Sequence, residues 1–216
     1  MRESELRQEI CRVGASLFDR GYVHGTAGNI SVSLGDGYLI TPTDACLGFL
    51  DPGQLAKVSL DGVPLSGDRP SKTLALHRKI YEADPQARCV VHTHSTHLVA
   101  ATLSRTWNGE DLLPPITPYF VMKVGHVPVI PYGAPGDPSV AANVGLTIAT
   151  RLKEGRRLRA VMLERLGPNV WHATPAQAMA VLEELEETAK LWLMTKAAPL
   201  TQDALEQLRL CFNADW

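Results

Sequence analysis

The chain has no apolar run approaching the ~20 residues that a bilayer-crossing helix requires, so a membrane-spanning role is not expected. It also lacks a dense Lys/Arg block. Its 21 Lys and Arg residues face 23 Asp and Glu, for a net charge of −2 and a pI near 6.4. That balance removes the electrostatic footprint of a nucleic-acid or anionic-membrane binder and makes a small molecule the expected partner. The four cysteines, Cys11, Cys46, Cys89 and Cys211, form no C-x-x-C pair, and the opening MRESELRQEI has no apolar signal core. A cytoplasmic location is expected from both absences. There is no internal repeat and no low-complexity segment. What remains is ordinary globular composition, 45% hydrophobic and 20% charged over 216 residues, which predicts a single domain spanning 1–216.

Hydrophobic spacing predicts the elements. Leu6, Ile10, Val13 and Leu17 give residues 4–20 one apolar helical face that ends at Gly21. NISVSLGDGYLIT reads as a hairpin around Gly-Asp-Gly, with Ile30, Val32, Leu34, Tyr38 and Ile40 as inward positions. Residues 71–83 and 137–152 read as helices, 87–94 and 158–163 as strands, and NVW pairs with the latter strand across Gly167 and Pro168. Thr174, Pro175 and Gln177 open a helix whose stripe is Ala178, Val181, Leu182, Leu185 and Ala189. Glu183, Glu184, Glu186 and Glu187 lie mostly off that stripe and read as a solvated face. A last short helix is expected over 201–211.

CVVHTHSTH supplies the clearest chemical signal. Side chains two apart on a strand share a face at ~6.5–7 Å, so His92 and His94 can converge on one metal ion at the strand's end. His97 falls out of that register and fits the start of the following helix, as a capping or exposed residue. GTAGN and TPTD offer small residues whose backbone amides can approach an anion, with Asn29 and Thr43 adding side-chain donors. PSK puts Ser71 and Lys72 at a helix N-terminus, where free amides and the dipole favour phosphate. Each of these segments also reads as plain turn chemistry.

GTAGNISV, ITPT, RPSK, LHRKIY and VVHTHSTH follow one another in the order and spacing of the class II aldolase/adducin-head family, which this chain resembles from about residue 4 to 196. GYVHGTAGN, SGDRPSK, HSTH and PYGAPGDP are most similar to the members that decarboxylate 3-oxo-tetronate 4-phosphates. The resemblance implies a three-layer α/β/α sandwich with a central, largely antiparallel sheet. It implies a phosphorylated sugar-acid substrate whose phosphate is enclosed by Gly28, Asn29, Thr43, Ser71 and Lys72. It also implies Zn2+ or another divalent metal on His92 and His94, and a C4-like tetramer with sites between subunits. Tyr119 then either reaches a neighbour's site or serves as an interface or core aromatic.

Two positions depart from the family pattern. Thr73 stands where a glutamate normally serves as metal ligand or acid–base group, and a threonine cannot do a carboxylate's proton chemistry near neutral pH. ERLGP replaces NHGP, which leaves Leu166 at the third histidine's position. Glu164, His24 and Asp44 are the conceivable substitutes, while His24 and His172 have ready surface roles; the expectation is a weakened or vacant metal site rather than a rebuilt one. Three functions stay open: a decarboxylase working through an enediolate, an aldolase sharing that intermediate, and a paralogue that binds sugar phosphate without turnover.

Overall fold

The computed structural model describes residues 2–104 and 111–216. Their strands are β1 (Asn29–Ser33), β2 (Gly37–Ile40), β3 (Ala56–Ser59), β4 (Pro64–Ser66), β5 (Cys89–His92), β6 (Val129–Ile130), β7 (Ala160–Leu163) and β8 (Gly167–His172). They form one sheet in the order β4-β3-β2-β1-β5-β8-β7-β6. Every neighbouring pair is antiparallel except β6 and β7, which run parallel.

Helices cover both faces. On one side lie α1 (Glu3–Asp19), α3 (Thr96–Leu103), α4 (Pro118–Lys123) and α6 (Pro175–Thr195), with α7 (Gln202–Phe212) packed on α4. On the other lie α2 (Leu74–Ala83) and α5 (Pro138–Lys153), packed on each other. The three-layer arrangement with a largely antiparallel sheet is the one the resemblance implied.

This layering divides the inward positions of the hairpin between two cores. Val32 sits opposite Leu39 and joins Ile30 in the core under α1 and α6. Tyr38 and Ile40 point the other way, into a cluster with Leu74 of α2. Leu34 is only half-buried. A sheet covered on both faces has no solvent side, so alternation separates two cores rather than inside from outside.

The helix starts follow local chemistry. Thr174 Oγ1 accepts from the Gln177 amide at 3.2 Å and Pro175 occupies the first turn, so α6 begins where its cap predicts. Gln177 Oε1 receives the Thr174 hydroxyl at 3.1 Å, not the Thr174 amide of a reciprocal capping box. α2 begins at Leu74 rather than 71, which leaves Ser71 and Lys72 in the loop before the helix. β3, β4, β6 and α4 were not anticipated; they are short, and β4 is exposed throughout.

Candidate active site

His92 closes β5 and is paired directly with Asn29 of β1 on one side and Asn169 of β8 on the other. Laterally paired residues project from the same sheet face, so these three side chains form a row directed at the α2 and α5 layer. Two residues further along, the same face carries Val90 and Trp171, packed on Ile80, Val144 and Ile148 of those helices. All three members of the row are buried. Two glycines bring the flanking backbone this close. A Cβ on Gly28, at φ +85, would meet the His92 carbonyl oxygen at 2.8 Å, and one on Gly167, at φ +145, would meet that of Thr93 at 1.9 Å.

His92 Nδ1 lies 2.8 Å from the Pro168 carbonyl oxygen, which can only accept. The neutral ring therefore carries its proton on Nδ1 and presents the Nε2 lone pair, the arrangement that a carbonyl behind the ring gives metal-ligating histidines. Burial, and then the neighbouring His94, lower the His92 pKa to about 4, against the opposing pull of the Pro168 bond. His94 is lowered as well, by burial and then by His24. The two rings meet edge-on with centroids 5.1 Å apart, although β5 ends at His92 and leaves His94 in the following loop rather than on the strand face expected from the spacing. Behind the row, His77 of α2 is fully buried, with Nδ1 2.8 Å from Ser31 Oγ and Nε2 without a partner.

The three glycine- and serine-bearing loops are stitched to one another. The Ile30 amide donates to Thr41 Oγ1 at 3.2 Å, the Ser71 amide to the Thr41 carbonyl at 3.2 Å, and the Thr43 amide to the Arg69 carbonyl at 2.9 Å. Gly28, Asn29, Thr43, Ser71 and Lys72 thus belong to adjoining segments around the end of β1. Ser71 Oγ lies 2.9 Å from Thr73 Oγ1, Asn29 Oδ1 is buried without a partner, and Lys72 is exposed. Among the described residues Lys72 makes no ion pair.

A cleft of about 440 Å³ opens beside this row, between α2, the start of α5 and the β7–β8 turn. Lys72, Thr73, His92, Glu164, Leu166 and Asn169 all line it. The structure therefore puts both departures from the family pattern, Thr73 and Leu166, on one wall system with the retained His92. Asn169 was missed in the sequence. It is 1% exposed with Nδ2 unpartnered, and the available signal was a polar residue inside the otherwise apolar strand GPNVWH. Pro131 and Gly133–Asp137 complete the rim, as the density of Gly and Pro in PYGAPGDP could have suggested.

A catalytic zinc centre takes three protein ligands and an open fourth position. Among the described residues, no three His, Cys, Asp or Glu side chains group to hold an ion. The donor set present, His92 with His94, does not fit such a centre.

Other predicted residues lie elsewhere. Tyr119, on α4, is 61% exposed on the opposite face of the sheet and does not line the cleft. Asp44 is exposed; His24 is exposed too but lies close enough to His94 to help lower its pKa, and His172 ends β8 away from the row. The reading of the acidic run as solvated fails at Glu186, which is 2% exposed. Its carboxylate accepts from the amides of His97 at 2.9 Å and Leu98 at 3.1 Å, and lies 2.8 Å from His97 Nδ1. It caps α3 from outside, which rewards burial of a charge that helical spacing alone placed at the edge of the stripe.

Comparison with known proteins agrees with this arrangement. The chain is 58% identical over 221 aligned residues to the 3-oxo-tetronate 4-phosphate decarboxylase of Cupriavidus necator, covering 99% of each sequence. Among solved structures, YgbL of Klebsiella pneumoniae superposes with a TM-score of 0.88 at 40% identity, over 97% of this chain and 100% of the other. An L-fuculose 1-phosphate aldolase shares the fold at a TM-score of 0.80 and 22% identity, over 99% of this chain and 98% of the other. The profile of the class II aldolase and adducin N-terminal domain matches residues 8–193, and with the antiparallel three-layer sheet and the histidine-ended β5 it establishes that the chain belongs to that family.

Proposed function

We propose that this protein is a carbon–carbon lyase that decarboxylates a 3-oxo-tetronate 4-phosphate to a triose phosphate. The observation that carries the reading is the end-to-end 58% identity with a decarboxylase of that name. The cleft is chemically suited to it. The substrate is anionic at both ends, and among the described residues Lys72, on the cleft wall, pairs with no carboxylate; Gly28, Asn29, Thr43 and Ser71, on the adjoining segments, are proposed to share the phosphate with it. Holding the phosphate fixes the rest of the substrate against the Asn29–His92–Asn169 row.

Decarboxylation breaks the C1–C2 bond, and its electron pair passes into C2–C3 as CO2 departs, so negative charge collects on the 3-oxo oxygen. Asn169 Nδ2 is a buried donor with no other partner, and a donor spent on that oxygen is worth more in a site walled by Leu163, Leu166 and Val140 than in water. His92 and His94 are proposed as a weak site for zinc or another divalent ion. Family membership also supports a C4-like tetramer, for which exposed Tyr119 is an interface residue, and a cytoplasmic setting.

A second reading has its own observation. Thr73 and Leu166 remove two groups the family pattern expects, which favours a protein that binds sugar phosphate without converting it. Incubation with 3-oxo-tetronate 4-phosphate, followed by coupled detection of triose phosphate, decides between them. Continuous product formation supports the lyase; saturable binding with no product supports the paralogue.

A further inference from the structure

Once CO2 has left, C2 of the enediolate must take a proton, and the family's usual carboxylate is missing at Thr73. The cleft has two carboxylates on its walls, Asp137 and Glu164. Asp137 is committed: it is the N-cap of α5, its Oδ1 accepts from the Ser139 amide at 2.8 Å, and that bond holds its carboxyl below the usual range. Glu164 also accepts one backbone bond but caps no helix. Its Oε2 accepts one backbone bond, from Tyr132 at 3.1 Å, and its Oε1 lies 3.8 Å from Arg165 Nε, beyond hydrogen-bond reach.

The backbone beneath Glu164 is fixed. Its own amide donates to Ile130 at 3.0 Å, the Arg165 amide donates to Thr102 Oγ1 at 3.0 Å, and the turn closes with a Leu166 amide bond to Leu163 at 3.1 Å. Arg165 is held at φ +65, a conformation unfavourable for a side-chain-bearing residue, and Gly167 seats the turn against Thr93. The side chain of Glu164 is 19% exposed, wet enough to exchange protons with solvent and shielded enough to deliver one to a bound molecule.

We propose that Glu164 is the acid–base residue of this site, taking over from the β7–β8 turn the proton transfer that a glutamate at position 73 would perform from α2. The inference rests on the decarboxylase reading. In the step, the Glu164 carboxyl O–H breaks and a C2–H bond forms, the C2–C3 electron pair goes into the new bond, and the C3 carbonyl re-forms from the enediolate oxygen. The carboxylate left behind takes one proton from water, which balances the single proton that decarboxylation consumes.

The test is turnover in D2O with NMR analysis of the hydroxymethyl carbon of the triose phosphate. The unmodified protein is expected to place deuterium at that carbon in one configuration. Glu164→Gln keeps an acceptor for the Tyr132 amide, so the fold should be retained, as thermal unfolding can verify. It should turn over at least ~100-fold more slowly and deliver label in both configurations, because water then protonates an unguarded enediolate. Glu164→Asp should retain the single configuration, and Thr73→Glu added to Glu164→Gln should recover rate. A Glu164→Gln protein with unchanged rate and unchanged stereochemistry overturns the inference alone. An unmodified protein without turnover overturns it together with the decarboxylase reading.

Discussion

Restoring the two missing groups should convert a poor metal site into a good one. The perturbation is Thr73→Glu with Leu166→His, and the structure sets its size. His92 already presents Nε2, because its Nδ1 is held by Pro168 at 2.8 Å, and His94 already meets it at a 5.1 Å ring separation. Position 166 lies on a turn whose backbone is pinned at Leu163 and pressed against Thr93, so a histidine there joins a preformed pair at no cost in loop ordering. Changes behind the ligands alone alter metal affinity by ~10–100-fold, or ~1.4–2.7 kcal/mol. Adding two direct ligands should gain at least that much. Elemental analysis of protein purified without added metal is expected to give well under one zinc per chain for the unmodified protein and close to one for the double variant. Competition against a chromogenic chelator should show the affinity ratio. An unmodified protein that retains one tightly held zinc per chain would refute the ligand counting and require a protein ligand outside the His92 and His94 pair.

Lys72→Ala with Asn29→Ala should weaken triose phosphate binding in calorimetry by at least ~10-fold, since one removes the uncommitted charge and the other a directional group; unchanged affinity would misplace the phosphate. His77 has its pKa lowered to about 3 by burial, then by His92. Its unfolded-state value is near 6.5, so its contribution to stability is complete above that pH and is lost as pH falls toward 3, by about 1.4 kcal/mol per unit. Urea unfolding at pH 7 and pH 5 should show this loss, and His77→Leu should flatten the dependence by about one proton. Glu186→Ala should destabilise the fold by about 1–2 kcal/mol, because the amides of His97 and Leu98 lose their shared acceptor at the start of α3.

The layers, the long helices and the strand that ends in His92 were readable because they are periodic: α1 and α6 repeat at helical spacing, and β5 is a continuous apolar run, although it stops two residues short of His94. Tyr38 and Ile40 are buried as their apolar character predicts, but in a second core under α2, because nothing in a short alternating hairpin says that its second face is also covered. Glu186 was lost for a related reason. Its burial depends on α3, whose N-terminus lies 89 residues earlier in the chain, and no local pattern encodes that contact. The loops proposed for the phosphate were visible as motifs, yet the role of Thr41 in tying them together was not, since its three bonds cross between segments. Asn169 and Glu164 enter the cleft by sheet register and turn geometry, which only the assembled fold reveals.

The most direct measurement follows the fate of C1. With 3-oxo-tetronate 4-phosphate labelled with 13C at that carbon, the purified protein should release the label as CO2 and form triose phosphate in equal amount, as 13C and 31P NMR can record together. Label retained in a two-carbon fragment would mark aldol cleavage, and label remaining in unchanged substrate would mark a binding protein; either result would contradict the decarboxylase assignment.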